Sequence, residues 1–480
     1  MKCVLLLTAV SLAAFGGDTR LVDAAKARDS ARVRALLEQN VGANEAATDG
    51  DTALHWAAHW DDIEMASALL RAGANVQAFN RYGVSPLVLA CSDGSDRMVD
   101  LLLKAKADPN TSSGDGETVL MIAARTGKAA AVKLLIAGGA NVNAKEGWRG
   151  QTPLMWAAAE GHTDAVKALI GGGAEINARS KSGFTPLLFA VREGRSEVVK
   201  TLLKAGASPE EAVTSRRGGK TPALVLATMN AHYEMAAMLL DAGADPNGGG
   251  DGWTALHVIS NVRRPGYGSN DPAPPGSGNV SSLNLVRKLV AKGANLNLQT
   301  TRSRNVGLTS LNTKGATPFL LAARTGDAEL MRLLAQLGAD PKIPTAEHTT
   351  PLMVAAGVGT RSPGEDAGTE AEALEAVRVA FELGGDVNAV DDNGETAMHG
   401  AAYKWFPGVV TFLAQHGAKI ELWNRKNHND WTPLRIAEGV HRGMNLRASP
   451  ETAEVLRKIM TEAGVSTEVE PEKVISGATK

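Results

Sequence analysis

The sequence has 480 residues, of which 44% are hydrophobic, 21% are charged and only 4% are aromatic, and its formal net charge is −2. This is the composition of a folded chain that fills its interior with alanine, leucine and valine, so it excludes disorder over most of the length. The near balance of 50 basic and 52 acidic residues also excludes a general electrostatic attraction to nucleic acid or to an anionic membrane.

The first segment predicted in chain order is a secretory signal peptide at residues 1–17. Lys2 precedes the apolar run VLLLTAVSLAA, and Gly16 and Gly17 precede the polar Asp18. A basic start, a short apolar core and small residues at its end are typical of a cleaved leader. The run is shorter than the roughly 20 residues of a membrane span. We therefore expect a secreted or periplasmic protein, with no membrane insertion after cleavage. The alternative is a cytoplasmic protein whose N-terminus is a helical cap.

A Thr or Ser then opens a tetrad related to Thr-Pro-Leu, most often at 33-residue intervals, at Thr52, Ser85, Thr118, Thr152, Thr185, Thr221, Thr254, Thr317, Thr350, Thr396 and Thr432. The hydroxyl suits an N-cap and the proline suits the first helical position, so each tetrad predicts the start of a helix. A second apolar stretch follows with helical spacing, as in Ile63, Ala66, Leu69 and Leu70. A glycine such as Gly73 ends this second helix.

This pattern resembles the ankyrin repeat, which has a 33-residue period and a T-P-L-H-x-A signature. TALHWAA leading to GANVQA and TPLMWAA leading to GGANVNA carry the resemblance, and the degenerate unit after Thr19 suits an N-terminal cap. The resemblance implies an all-α solenoid of about twelve helix-turn-helix repeats with short hairpin turns. We expect it to be one continuous domain over residues 18–465, followed by a polar C-terminal tail at residues 466–480.

Departures from the regular interval predict insertions near residues 263–282, 299–314 and 358–370. The first and third fall between the two helices of a repeat and should project from the same edge of the solenoid, whereas the second falls in a hairpin. Tolerated loop growth is the interpretation that we favour, because each doubling of loop length costs only about 0.6 kcal/mol. The alternative is a composite contact site.

No residue is predicted to be catalytic, to bind a cofactor or to bind a metal. His55, His257 and His399 occupy the fourth place of the tetrad, where the resemblance implies a bond to neighbouring backbone that ties repeats together. They lack metal-ligand spacing with a carboxylate. Cys3 and Cys91 are the two cysteines, too few for a disulfide framework or a multi-cysteine metal site. Catalytic motifs such as G-x-S-x-G and the Walker loop are absent from the sequence.

The few aromatic residues predict a binding surface. In ankyrin proteins, the concave face is lined by the hairpin tips, the residue before the tetrad and the end of the first helix. By this register the candidate partner-binding residues are Trp60, Tyr82, Trp148, Phe184, Trp253, Tyr403 and Trp431. Trp56 and Trp156 are instead expected in the core. Exposed rings are typical of binding hot spots, and the alternative is that the rings pack on the adjacent hairpin and stiffen the stack.

The predicted function is that of a monomeric, non-enzymatic scaffold. It binds a protein partner, of an identity that the repeats do not encode, through the concave face and the insertion loops, with no cofactor and no nucleic acid. One alternative is a host-directed or intracellular effector whose N-terminus is not cleaved. The other is an accessory subunit of an envelope enzyme, for which we expect a deep polar pocket beside residues 263–282. Fold alone names no ligand.

Overall fold

The structure is a computed structural model, and it describes residues 18–214, 219–265, 274, 276, 278–304, 309–361, 368–442 and 445–469, the side chains of 441–447 excepted. The predicted signal peptide at 1–17 and residues 470–480 of the predicted tail lie outside the described residues. The chain forms two compact units, Met1–Ala207 (unit 1) and Ser208–Lys480 (unit 2). Within the described ranges, each helix is too short or too polar to cross a bilayer.

Unit 1 consists of paired helices joined by short turns. Their bounds are α1 Arg20–Lys26, α2 Ser30–Glu38, α3 Ala53–His59, α4 Ile63–Arg71, α5 Pro86–Asp93, α6 Asp96–Lys104, α7 Val119–Arg125, α8 Ala129–Ala137, α9 Pro153–Glu160, α10 Thr163–Gly171, α11 Pro186–Arg192 and α12 Ser196–Lys204. Over residues 18–207 they make six repeats. The first of them is the predicted degenerate unit that follows Thr19.

The first helix of a repeat begins at the tetrad for the predicted reason. Thr152 has an extended backbone, its hydroxyl oxygen accepts a hydrogen bond from the Met155 N–H, and Pro153 takes the first helical position, where no donor is needed. The chain leaves the second helix through a glycine, as at Gly73 with a φ of 84°. That left-handed conformation is open to glycine without a steric cost.

Stacking supplies the core. The first helices pack on one another in sequence from α1 to α11, and the second helices stack in the same way from α2 to α12. On α4, Ala66 and Leu69 are fully buried, while Ile63 and Leu70 are half-buried. One apolar stripe per helix is therefore enough, because each repeat completes its core with its neighbours.

Unit 2 repeats this pairing, with additions. Its described helices are α13 Ala223–Met229, α14 Tyr233–Asp241, α15 Ala255–Arg263, α16 Ser282–Ala291, α17 Pro318–Arg324, α18 Ala328–Gln336, α19 Pro351–Ala356, α20 Glu370–Glu382, α21 Ala397–Lys404, α22 Pro407–Gln415, α23 Ile420–Trp423, α24 Pro433–Glu438 and α25 Pro450–Glu462. A 3-10 turn spans Gly250–Gly252. Two antiparallel hairpins pair β1 Ala212–Thr214 with β2 Lys220–Pro222 and β3 Val440–Arg442 with β4 Asn445–Arg447. The predicted all-α repeat fold is confirmed.

Thr221 departs from the predicted tetrad role. It lies in β2, paired with Val213 of β1, and α13 begins at Ala223 with Pro222 as its N-cap. Strand pairing holds the threonine in the short hairpin, so its hydroxyl is not placed at the helix start.

The tetrad histidines tie each first helix to the following hairpin. Nδ1 of His55 lies 2.9 Å from the Thr52 hydroxyl oxygen, and Nε2 lies 3.0 Å from the Val84 carbonyl oxygen. The corresponding Nε2 to carbonyl distances at His257 and His399 are 2.9 and 3.1 Å. In each of the three rings Nδ1 accepts a hydrogen bond from the backbone N–H of the tetrad threonine. Because the carbonyl can only accept, Nε2 carries the single proton, and the ring is neutral. The structural role predicted for these three residues is confirmed.

An ion-pair network centred on one buried aspartate joins the bases of the two helix-to-helix insertions. Asp327 is fully buried; Arg263 Nε lies 2.6 Å from its Oδ2, and Arg264 Nε lies 3.8 Å from its Oδ1. Arg264 Nη1 also lies 2.7 Å from Oε1 of Glu372, near the start of α20. Arg263 and Arg264 lead into the first insertion and Glu372 follows the third. The described bases of these insertions therefore share one edge of unit 2, as the sequence predicts.

Stability should decrease as the pH falls. Burial lowers the pKa of His257 and of His399 to about 4, so below the ordinary value near 6.5 the unfolded chain binds protons that the folded chain does not. We expect each to remove up to about 3 kcal/mol of unfolding free energy between pH 6.5 and 4. The measurement is the urea midpoint as a function of pH. The double variant His257→Gln, His399→Gln should show a flatter dependence of the midpoint on pH, whereas His59→Gln, a change at an exposed histidine, should not. Equal slopes for the wild type and both variants would contradict the role given to the two buried histidines.

The Asp327 network gives a second prediction. Asp327→Asn keeps an acceptor for the Leu330 N–H at the start of α18 but removes the charge that faces Arg263. We expect a loss of about 1–3 kcal/mol, because the half-buried Arg263 loses its buried partner and keeps the exposed Glu329. Asp62→Asn is the matched control: Asp62 also caps a helix, and asparagine caps nearly as well. Hydrogen exchange should rise in residues 318–336 only for the Asp327 variant, and equal effects of the two changes would refute this account.

Candidate functional site

One tyrosine ring and one tryptophan ring project from the hairpin tips of unit 1. Tyr82 is 81% exposed and Trp148 is 75% exposed. Of the large hydrophobic side chains in the described part of the chain, these two are the most exposed. Their hairpins form what we call the tip surface, defined by Tyr82 and Trp148. Exposed aromatic rings on a protein surface are typical of recognition sites.

A buried carboxylate fixes the turn that carries Trp148. The Glu146 carboxylate accepts hydrogen bonds from the N–H groups of Trp148 at 2.7 Å, Arg149 at 2.8 Å and Gln151 at 2.8 Å. Burial on its own would raise the pKa of Glu146, but these N–H groups and the nearby Lys181 charge outweigh it and lower the pKa overall. The N–H groups of the turn that carries the Trp148 ring are therefore already hydrogen-bonded within the protein.

Asn80 does the same for Tyr82. Its Oδ1 accepts from the N–H groups of Tyr82 at 3.0 Å and Val84 at 2.9 Å, and its Nδ2 donates to Asp51 at 2.9 Å. Sequence reasoning did not single out Asn80 or Glu146. The signal that could have found them is an acceptor side chain two residues before a tip ring.

Cations surround the Trp148 tip. The Arg149 guanidinium lies 4.4 Å from the centre of the Trp148 ring, within cation–π range. The Lys181 ammonium donates to the Gly147 carbonyl, and the Lys181 N–H donates to the Arg149 carbonyl at 2.9 Å. The next hairpin thereby holds the Lys181 ammonium at the turn that carries Trp148.

Trp60 and Phe184 are half-buried. The Trp60 ring centre lies 4.5 Å from that of His59 and 4.6 Å from the Arg28 guanidinium, and the Phe184 ring lies 5.1 Å from Phe189. These two rings belong in part to the packing between repeats. They expose less surface to a partner than Tyr82 or Trp148.

Trp56 and Trp156 were expected in the core, and the structure corrects this. Both are half-buried. Lys26 Nζ lies 5.2 Å from the Trp56 ring centre, and the Arg125 guanidinium lies 5.5 Å from that of Trp156. At this position of the first helix a wide indole reaches past the core to a basic side chain.

Trp253 is buried, so the expectation of an exposed ring on the binding face is wrong there. It is 3% exposed, and its indole N–H donates to the Arg302 carbonyl at 3.3 Å. The Arg304 guanidinium lies 5.6 Å from its ring centre. Residues of the second insertion fold over the ring. The position of this insertion cannot be predicted from the register of regular repeats.

Tyr403 is also buried, at 5% exposed, and the same expectation is wrong for it. Its hydroxyl donates to Glu395 Oε1 at 3.0 Å and accepts from Asn427 Nδ2 at 2.8 Å. A tyrosine at the end of α21 turns inward because two polar side chains of the adjoining hairpins satisfy its hydroxyl.

Tyr403 and the half-buried Trp431 line a polar cavity of about 440 Å³ in unit 2. We call it the roofed cavity. Its other walls come from segment 309–312 of the second insertion, the 358–359 turn and the hairpins at 347–349, 391–395 and 428–431. The cavity therefore adjoins the insertion near 299–314, whereas the pocket expected for an accessory enzyme subunit was beside 263–282.

Hydrogen bonds hold the insertion against the repeats. The Ser310 N–H and the Thr309 hydroxyl donate to the Gly359 carbonyl at 2.8 and 2.7 Å. Asn312 Nδ2 donates to Glu347 Oε1 at 2.6 Å. This described part of the insertion is an ordered wall.

Comparison with known proteins identifies the class. Helix pairs stacked through hairpins with Thr-capped first helices define a helical repeat protein, and a family model for ankyrin repeats matches residues 21–113, 104–180, 120–213 and 277–361. These matches span more than half of the chain, so the chain belongs to the ankyrin-repeat family. No curated protein matches it. Ankyrin repeats are generally protein-interaction modules.

Proposed function

We propose that this protein is a non-enzymatic interaction scaffold that binds a protein partner through the tip surface of unit 1. The exposure of Tyr82 and Trp148 carries the proposal. Covering an exposed ring with a partner removes apolar surface from water and therefore favours binding, and such rings supply much of the binding energy of many interfaces.

The supports beneath the two rings favour tight binding. Because Asn80 and Glu146 already satisfy the turn N–H groups, association does not have to order the backbone at these tips, which lowers its entropic cost. Arg149 and Lys181 supply charge at the edge of the ring contact, where it improves the association rate and the choice of partner. Binding would proceed by surface complementarity with no covalent step.

Site-specific photo-crosslinking tests the surface directly. A benzophenone side chain placed at position 82 or 148 of the full chain should capture the same partner in an extract of the source organism. The matched position is 390, because Val390 is also an exposed large hydrophobic residue, at 46%, but lies in unit 2. Equal capture at 390 would count against the tip surface.

Affinity measurements with the captured partner complete the test. Tyr82→Ala and Trp148→Ala should each raise the Kd about 10- to 30-fold, the effect of removing a hot spot. Their urea midpoints should be unchanged because both rings are exposed. Val390→Ala should leave the Kd unchanged, and unaltered affinity in both ring variants would refute the proposal.

We also propose that the protein acts outside the cytoplasm, as the mature chain that follows a leader at residues 1–17. The basic start and apolar run of the sequence support this. N-terminal sequencing of the protein from an envelope or secreted fraction should give a start at or near Asp18. A start at Met1 would contradict this placement.

A further inference from the structure

We propose that the roofed cavity of unit 2 binds an organic cation, an ammonium or guanidinium group on a short alkyl stem. This inference does not depend on the tip surface, which lies in unit 1. A cavity of about 440 Å³ lies within the roughly 300–1,000 Å³ of ligand pockets, and it holds a group of side-chain size.

The cavity is an addition to the repeat. A regular hairpin needs no residues corresponding to 309–312, yet this segment forms a bridge between Thr309 and Thr360 and bonds to Gly359 and Glu347. Ordering a segment costs about 1–2 kcal/mol per residue. The contacts that repay this cost also place Leu311 and Asn312 along the cavity.

The chemistry of the wall favours positive charge. The described residues that line the cavity include the carboxylates Glu347, Asp391 and Glu395, and neither lysine nor arginine is among them. Each Glu347 oxygen accepts one amide bond, from Asn312 at 2.6 Å and from Asn393 at 3.2 Å. A carboxylate oxygen has two lone-pair sites, so Glu347 retains capacity for a donor on the ligand.

Asp391 and Glu347 act on each other as like charges. Asp391 is 6% exposed; burial raises its pKa, the Glu347 charge raises it further, and bonds from Glu395, Thr349 and Asn393 oppose the rise. A cation bound in the cavity would be attracted to both carboxylates and would offset this repulsion.

Shape and ring chemistry select an organic cation. Within the described ranges, no group of three or more His, Cys, Asp or Glu side chains is arranged to hold a metal ion. Trp431 is among the residues that line the cavity, and indole is the best ring for a cation. Tyr403 adds a hydroxyl whose partners, Glu395 and Asn427, hold it in place.

Calorimetry on the full chain with shape-matched probes tests the charge requirement. Butylguanidinium should bind with a Kd of about 1 mM or tighter, and neutral butylurea should bind at least about tenfold more weakly. Acetyl-Gly-Arg-Gly amide and its citrulline counterpart form the second arm. Tighter binding of the arginine tripeptide than of butylguanidinium identifies the ligand as a side chain of another protein, and the reverse order identifies a free small-molecule cation.

Two variants locate the site. Glu347→Gln removes the charge and keeps one of the two acceptor oxygens, so it also loses one of the amide bonds from Asn312 and Asn393. It should weaken binding of the cationic probes about tenfold. Trp431→Leu should weaken it severalfold through loss of the cation–π contact. The control is Glu160→Gln, an exposed glutamate of unit 1 that makes the same change in net charge. Circular dichroism checks that each variant is folded.

Three outcomes would overturn the proposal. Equal binding of butylguanidinium and butylurea would show that charge is not recognised. Binding of Ca²⁺, Mg²⁺ or Zn²⁺ in competition with the probes would make the cavity a metal site. Absence of binding of both cationic probes up to about 10 mM, with Glu347→Gln and wild type alike, would leave the roofed cavity without this ligand class. None of these outcomes bears on Tyr82 or Trp148.

Discussion

Neighbouring hairpins within each unit share backbone hydrogen bonds at many of the described repeats, and the rest of the structure depends on this sharing. The Lys181 N–H bonds to the Arg149 carbonyl in unit 1, and the Asp392 N–H bonds to the Glu347 carbonyl at 3.0 Å in unit 2. Asn44 Nδ2 reaches the Gly73 carbonyl one repeat further on at 3.0 Å. Because a buried, unpaired peptide group is costly, neighbouring repeats keep one spacing and one register. Side chains about 33 residues apart in the sequence therefore lie next to each other, and together they form a continuous surface along the repeats.

The second insertion, near residues 299–314, shows how additional residues are accommodated among the regular repeats. Its residues find partners on existing repeats: Arg302 receives the Trp253 indole bond, and the Gly359 carbonyl receives those of Thr309 and Ser310. An inert loop would leave the neighbouring repeats unchanged, but here a predicted surface ring becomes buried and a cavity acquires a wall. For this part of the chain, the low cost of loop closure explains why the insertion is tolerated, and the bonds explain where it lies.

The repeat architecture could be predicted from the sequence because its signals are local. Thr and Pro at a helix start, one apolar stripe and a glycine at the helix end each act within a few residues, and the role of His257 followed from its place in the tetrad. Exposure could not be predicted in the same way. Trp253 and Trp148 both lie in hairpins, yet only Trp253 is covered, by residues about 50 positions away. The carboxylates of the roofed cavity meet across repeats and an insertion, and local spacing does not encode that meeting.

Register and exposure are therefore separate properties of a ring, and they divide the aromatic residues by function. At the tips of unit 1, Asn80 and Glu146 use their acceptors on the backbone, the rings of Tyr82 and Trp148 remain exposed, and Arg149 lies beside the Trp148 ring. At the roofed cavity Asp391 likewise accepts from backbone N–H groups. There, however, Glu395 also bonds to the Tyr403 hydroxyl, and that ring turns inward to become a wall. An exposed ring on a rigid backbone suits binding to a broad protein surface, because the ring contributes apolar area that the partner can bury. The cavity has buried carboxylates at Asp391 and Glu395, and a charged group that is partly removed from water interacts with such carboxylates more strongly than in bulk solvent. Burial of the Tyr403 ring therefore follows from the side chains that meet its hydroxyl and not from its place in the repeat.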